Sequence, residues 1–305
     1  MRNIIGISRS PRFSPNSEGR DNATFSMVCE KLEQQGYQVL RVEEDDVLTM
    51  NVEALLSYQP EVIFTMARHE AVWEILGALE QRGVCVLNSV KALRSASRSG
   101  FYQTLSHEDL PYVESHLLSS AKYALAQYEH QTEDCPIPAL PCGFPLWVKR
   151  NDARSEVASD VVFVTHPSAL QSAMSDFAQR GIEEVVATPH IVGDLIKFYG
   201  VEGTDFFYYY YPTAENDFSK FGLEQHNGSP QGFPLDAVRF QSVANQIAHV
   251  TGLVIYGGDA VLTKDGDIIV IDFNDFPSFS RCRDEATDAI MKRVLQSAMI
   301  TKVTN

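Results

Sequence analysis

The stretch Gly257 to Ser280, GGDAVLTKDGDIIVIDFNDFPSFS, does most to limit what this chain can fold into. Asp265-Gly266 is a strong two-residue hairpin signal, because a type I′ turn needs positive φ at both central positions. A hairpin centred there sets Lys264 opposite Asp267 and Thr263 opposite Ile268, and the same count continued sets Asp259 opposite Asp272. Asn274 follows two residues on and shares their face, since side chains along a strand alternate with period 2. Ala260, Leu262, Ile269, Ile271 and Phe273 fall on the opposite face and are expected in the core. Directly opposed residues sit about 4.5–5.5 Å apart at Cβ, and like charges there repel, so a positive group is expected between the carboxylates. Two carboxylates and an amide oxygen are hard ligands suited to Mg2+. The same spacing also fits two solvated carboxylates on an exposed hairpin face.

Composition narrows what such a hairpin can serve. The 305 residues allow one large domain or two to three small ones, and 44% hydrophobic and 10% aromatic content can fill buried cores. A net charge of −15 argues against non-specific binding to nucleic acid or to an anionic membrane. A polyanionic ligand must then be held by a local cluster of cations or by metal. Five scattered cysteines with no CxxC pair suggest a reducing compartment and neither a disulfide framework nor a zinc site. The apolar run near Met1 is too short for a signal peptide, and no stretch approaches the ~20 apolar residues of a membrane span. A cytoplasmic protein is expected.

Upstream, strands and helices alternate. Strands are read at 3–8, 37–42, 61–66 and 84–87, with helices after Asp21, near 52–57 and over 70–82. Alternation of this kind implies a parallel sheet with helices on its faces, and ligands gather beyond the carboxyl ends of its strands. The loop Ser8-Arg9-Ser10-Pro11-Arg12 lies at such an end and reads either as substrate-contacting or as solvated; a GxGxxG dinucleotide fingerprint is absent. Further strands are read at 145–149, 160–164, 194–201 and 204–211, and helices at 118–130, 236–250 and 284–299. The tyrosine run Tyr208 to Tyr211 fits a half-buried strand better than a nucleic-acid platform. Residues 212–234 are rich in turn formers and read as a long loop or lid.

Asp259, followed by Asp272-Phe273-Asn274 ahead of a Pro-containing loop, resembles the metal-binding end of the ATP-grasp superfamily. The resemblance implies an α/β fold, with a parallel N-terminal domain over 1–88 and two α+β subdomains over 89–190 and 191–305 that close on MgATP. It implies that Asp259, Asp272 and Asn274 hold Mg2+, and that Lys149, ending the strand Pro145 to Lys149, and Lys197 bind ATP phosphates. Arg98 matches the basic residue that precedes a helix after Asn88, where the family usually has Lys. The chain departs from the family where a glycine-rich phosphate loop should follow Lys149; it has Arg150 to Ser159 without glycine, which leaves Arg154 and Ser155 as candidate replacements. Glu183 to Gly193 resembles the adenine hinge, with Thr188, Pro189 and His190 in place of the usual acidic residue, and Asp194 matches a ribose contact. Ser278, Arg281 and Arg283 match a loop that meets the transferred phosphoryl group and the acceptor.

The activity implied is ligation. A small-molecule carboxylate is activated by ATP as an acyl phosphate and attacked by an amine or thiol, releasing ADP and phosphate. No nucleic-acid or membrane partner is expected, and a homo-oligomer is left open. Asp272 to Pro277 also resembles the metal motif of inositol polyphosphate kinases, although no dense Lys/Arg cluster stands out in the sequence. A third reading is a nucleotide-binding protein without turnover.

Overall fold

A computed structural model describes residues 2–14, 17–123, 142–152, 157–214 and 222–303. The first part of the chain builds the expected alternation: β1 (Asn3–Ser8), α1 (Glu18–Gln34), β2 (Gln38–Glu43), α2 (Glu44–Val47), α3 (Val52–Ser57), β3 (Pro60–Thr65), α4 (Glu70–Glu80) and β4 (Cys85–Leu87). The four strands are parallel in the order β2-β1-β3-β4. Period-2 alternation sends Ile4, Val62 and Phe64 to one face and Ile5, Ile7 and Ile63 to the other, so both faces are dry and each carries helices. Helix α1 starts at Glu18, four residues earlier than a cap at Asp21 would place it. Asp21 lies inside it as a buried carboxylate and is held by Arg9 and Ser14, so it does not cap the helix.

Two short helices follow, α5 (Val90–Ser95) and α6 (Arg98–His107), with Ser89 and Ser97 as N-caps whose hydroxyls accept from Ala92 and Gly100 amides. Their apolar residues Ala92, Leu93, Phe101 and Leu105 pack on the C-terminal sheet, so this segment departs from the expected grouping with the middle of the chain. The middle sheet comprises β5 (His116–Ser119), β6 (Leu146–Arg150), β7 (Val161–Val164) and β8 (Glu184–Pro189), antiparallel in the order β5-β8-β6-β7. Helix α7 (Pro167–Gln179) covers it with Leu170, Ala173, Met174 and Phe177. Residues 118–119, expected to begin a helix, belong to β5, and most of that expected helix lies outside the described residues.

The C-terminal sheet comprises β9 (Asp194–Val201), β10 (Phe207–Tyr210), β11 (Ile255–Leu262) and β12 (Ile268–Asp275), antiparallel in the order β10-β9-β11-β12. Helix α8 (Ala237–Thr251) packs on it, and α9 (Arg283–Val303) returns to pack against α1 and the first sheet. The first and third sheets are joined by a buried amide. Asn88 donates to the Ile255 carbonyl and accepts from the Ile255 amide, both at 2.9 Å. A parallel sheet and two antiparallel sheets make the chain α/β, as expected.

The hairpin register holds at Asp259 and fails near the turn. Leu262 pairs with Ile268, so the connection is the five residues 263–267, with Gly266 at φ 85°. A bulge between Val270 and Asp272 takes up the one-residue offset and restores Asp259 opposite Asp272. One consequence is a correction: Ile268 and Val270 are buried in the core, while Ile269 and Ile271 are only partly buried, because this stretch is flipped relative to the simple count. Ile271 faces the cleft described next.

Candidate active site

A cleft of about 360 Å3 lies between the three sheets. Its middle is set by neighbouring strands. Lys197 on β9 is in register with Asp259 on β11, which in turn faces Asp272 on β12. The Lys197 ammonium donates to Asp259 Oδ1 at 2.8 Å and lies 3.1 Å from Glu224 Oε1. Burial alone would depress this lysine, but Asp259 and then Glu224 hold its pKa well above the ordinary value. On the other side, Arg98 lies 3.6 Å from Asp272 Oδ2 and donates to the Arg150 carbonyl at 2.8 Å. Lys149, also buried, donates to the Ile271 carbonyl at 3.3 Å, an acceptor that the bulge presents. Burial lowers the Lys149 pKa, with Asp272 opposing the shift.

The two facing carboxylates respond differently. Burial pushes Asp259 up, and Asp272 adds to this against the pull of Lys197. Asp272 is also pushed up by burial, but Arg98 and then Lys149 outweigh that and hold it below the usual carboxylate range. Asn274 Nδ2 donates to Asp272 Oδ2 at 3.3 Å. Asp259 Oδ2 and Asp272 Oδ1 accept no hydrogen bond from any described residue and belong to residues lining the cleft. Hard oxygen donors with one oxygen of each carboxylate left over fit a divalent cation such as Mg2+ that takes its remaining ligands from water or phosphate. Among the described residues no group of three or more His, Cys, Asp and Glu is placed to hold a metal.

One end of the cleft is aromatic. Trp147 on β6 donates its indole N–H to His190 Nδ1 at 3.2 Å, with the Phe163 ring tilted against the indole at 4.8 Å and the His226 ring tilted against Phe163 at 4.4 Å. Burial, and then His226, lower the His190 pKa, so the imidazole is neutral and accepts through Nδ1. Thr188 and His190 line the cleft here. Asp194 does not. Its carboxylate accepts from the amides of Gln231, Gly232 and Phe233 and so anchors that loop, which corrects the expected ribose contact. Arg154 and Ser155 lie outside the described residues.

The other end is built from the carboxyl ends of β1 and β3. Arg9 and Arg68 reach it, together with Arg20 from α1. Arg68 donates to Asp275 Oδ1 at 2.7 Å. Arg9 donates to Asp21, the Met66 carbonyl and the Phe276 carbonyl. Ser278 lines the cleft, with its carbonyl accepting from the Thr24 hydroxyl. Arg281 and Arg283 do not line it, which corrects both: Arg281 stacks over the Tyr210 ring at 4.3 Å, and Arg283 donates to Thr24 Oγ1 at 3.1 Å. Sequence reasoning missed Glu224, Trp147, Arg20 and Arg68. Only Arg68 carried a usable signal, its place just past the carboxyl end of a parallel strand.

No protein-family model matches the chain, and no curated protein matches it. Solved structures do. An ATP-grasp RimK domain protein from Sphaerobacter thermophilus is 16% identical with a TM-score of 0.63, covering 96% of this chain and 99% of that one. A D-alanine–D-alanine ligase from Bacillus anthracis is 15% identical with a TM-score of 0.65, each chain covering 100% of the other. D-alanyl-alanine synthetase A from Vibrio cholerae is 14% identical with a TM-score of 0.67, covering 100% of this chain and 99% of that one. Likeness over the full length at such low identity speaks to architecture: this chain has the ATP-grasp fold.

Proposed function

We propose that the protein is an ATP- and Mg2+-dependent ligase that activates a small-molecule carboxylate as an acyl phosphate for attack by an amine or thiol, releasing ADP and orthophosphate. The observation that carries this reading is the set Asp259, Asp272 and Asn274, flanked by Lys149, Lys197 and Arg98, at the centre of one cleft. The structural neighbours agree with it, since they include D-alanine–D-alanine ligases, one of them complexed with ATP. The aromatic end, with Trp147, Thr188 and His190, suits the base; the three cations suit the phosphates; Ser278 and the N-terminal arginines suit the acceptor. Phosphoryl transfer asks the protein mainly for positioning and charge neutralisation. Bound Mg2+ would supply further neutralisation of the phosphate oxygens. The chain's part is to keep Asp272 ionised through Arg98 and Lys149, and to hold Lys197 charged between Asp259 and Glu224. The net charge of −15 favours small-molecule partners over nucleic acid or membrane and is in keeping with a cytoplasmic enzyme.

A kinase is the second reading, and Arg9, Arg20 and Arg68 at the acceptor end favour it more than the sequence alone did. Products separate the two. A ligase that passes through an acyl phosphate yields ADP and stoichiometric orthophosphate, with a carboxylate oxygen transferred into that phosphate. Carboxylates crossed with amines and thiols, followed for ADP, orthophosphate and ¹⁸O transfer, should show this for the true pair. A phosphorylated product without free orthophosphate would settle for the kinase, and nucleotide binding without ADP release from any acceptor would settle for neither.

A further inference from the structure

Residues 222–234 belong to the stretch whose sequence reads as a long loop or lid, and three contacts tie them down. The Asp194 carboxylate, at the start of β9, accepts from the amides of Gln231, Gly232 and Phe233 and fixes the far end. Ahead of that anchor, a 3-10 turn over Leu223–Asn227 runs between Gly222 at φ 65° and Gly228 at φ 70°, left-handed positions that glycine takes without strain. The turn touches two sheets at once. Glu224, buried, sets Oε1 3.1 Å from the Lys197 ammonium on β9. His226 packs its ring against Phe163 of β7 at 4.4 Å and lies edge-on to Trp147 of β6 at 5.5 Å. Leu223, Glu224 and Asn227 line the cleft, so the turn forms part of its wall.

Lys197 therefore carries two carboxylates, Asp259 at 2.8 Å and Glu224 at 3.1 Å. The sheet fixes only Asp259 there, through the pairing of β11 with β9. Glu224 reaches the same ammonium on a short turn from another part of the chain. A phosphate oxygen asks of an ammonium the same charge-assisted contact that a carboxylate oxygen does, so an approaching phosphate and Glu224 compete for the donors of one lysine. Screening by water weakens such an ion pair at a surface, but here both side chains are largely withdrawn from it, Lys197 to 13% and Glu224 to 6% exposure. His226 adds a second hold two residues along the same turn, so the two contacts are made and lost together. A phosphate in the place of Glu224 leaves Lys197 charged, and only the turn has to give way.

We propose that Glu224 is an internal competitor of the nucleotide, a latch on Lys197 that the phosphates displace as they bind, releasing the turn from Lys197, Trp147 and Phe163. The proposal rests on Lys197 as a phosphate contact in the function proposed above, and it does not depend on which acceptor is used. Magnesium pyrophosphate, which carries phosphates without a base, and magnesium adenylyl imidodiphosphate are the probes, titrated calorimetrically into wild type, Glu224→Gln, His226→Ala and Glu224→Gln combined with Lys197→Gln. A latch that holds about nine-tenths of the molecules shut weakens apparent binding roughly tenfold. Glu224→Gln should therefore tighten both ligands by about three- to tenfold. His226→Ala, which leaves Lys197 and its carboxylates in place, should tighten them by a smaller factor, and the gain from Glu224→Gln should vanish once Lys197 is replaced. Trp147 is one of two tryptophans, so in a Trp73→Phe background it reports alone. Magnesium pyrophosphate should change its emission while His226 is present and leave it unchanged in His226→Ala. Weaker or equal binding in Glu224→Gln would overturn the proposal and make Glu224 a fixed part of the site. Should that variant not fold, weaker or equal binding in His226→Ala would overturn it instead. A gain that persists without Lys197, or Trp147 emission that pyrophosphate does not move, would also overturn it. Tighter binding in Glu224→Gln while no acceptor yields ADP and orthophosphate would sink the ligase reading and leave the latch standing.

Discussion

Asp259 and Asp272 face each other across β11 and β12, and mutual repulsion alone would make loss of either one a relief. Their partners say otherwise. Asp272 is the counter-charge of two buried cations, Arg98 and Lys149, whereas Lys197 keeps Glu224 at 3.1 Å if Asp259 is neutralised. Asp272→Asn should therefore lower stability, on the order of 2–3 kcal/mol for an uncompensated buried charge, and Asp259→Asn should stay within about 1 kcal/mol of wild type. Urea melts at neutral pH without Mg2+ compare them, and the reverse order would mean that repulsion dominates. Under the proposed function both variants lose turnover. His190 gives a pH signature. Its Nδ1 accepts from Trp147, and its pKa is lowered from 6.5 by burial and then by His226, so below that value the unfolded chain binds the proton first and stability falls as pH falls. From pH 7 to pH 5 the unfolding midpoint should drop further in wild type than in His190→Gln. Parallel slopes would show that the imidazole is not held neutral.

The hairpin shows how an element can reach an expected pairing for reasons the sequence hides. Asp265-Gly266 suggests a two-residue turn; the chain uses residues 263–267, and the bulge after Val270 returns the register. The two offsets cancel at Asp259 and Asp272 and do not cancel at Ile269 and Ile271, which is why the facing carboxylates were legible and the core face was not. The bulge then serves the site, since its Ile271 carbonyl receives Lys149. Close approach of the strands depends on glycine. A β-carbon on Gly258 would lie 2.3 Å from the Asp272 carbonyl oxygen and 2.7 Å from the Phe198 ring. Gly258→Ala must push β11 off β12 at the facing carboxylates, at a cost of about 1–3 kcal/mol and, under the proposed function, with weaker MgATP binding. Calorimetric titration with unchanged affinity would show that the strands can yield there without moving Asp272. Alternation of strands and helices made the first sheet readable almost residue for residue, because local periodicity encodes it. The acceptor end was not readable that way. Whether Arg281, Arg283, Arg68 or Glu224 enters the cleft depends on which distant surface each meets, and Arg281 found Tyr210 while Arg68 found Asp275.

At the scale of the whole molecule, the cores divide the chain differently from its order. Ile4 and Phe64 of the first sheet and Phe25 of α1 share one core with Ile255, Phe276 and Ala286 of the last part of the chain, whereas the middle sheet and α7 have a core of their own around Leu146, Val148, Met174 and Phe177. Between them run mostly polar contacts, Arg98 to the Arg150 carbonyl, Ser99 to the Asn151 side chain and Lys149 to the Ile271 carbonyl, with the His226 ring against Trp147 and Phe163 at the aromatic end. Apolar burial is the main source of cooperativity, so two bodies joined by a polar seam and an open cleft should melt separately. Without nucleotide, calorimetry should resolve two transitions. Phe177 and Phe64 are both fully buried, and truncating such a ring costs about 3–5 kcal/mol. Phe177→Ala should lower one transition and leave the other in place, while Phe64→Ala should do the converse. Under the proposed function MgATP would span the seam, with Lys149 on one side and Asp259 and Asp272 on the other, and should draw the two together by stabilising only the joined state. A single transition that moves equally in both variants would mean that the seam couples the bodies as tightly as a shared core.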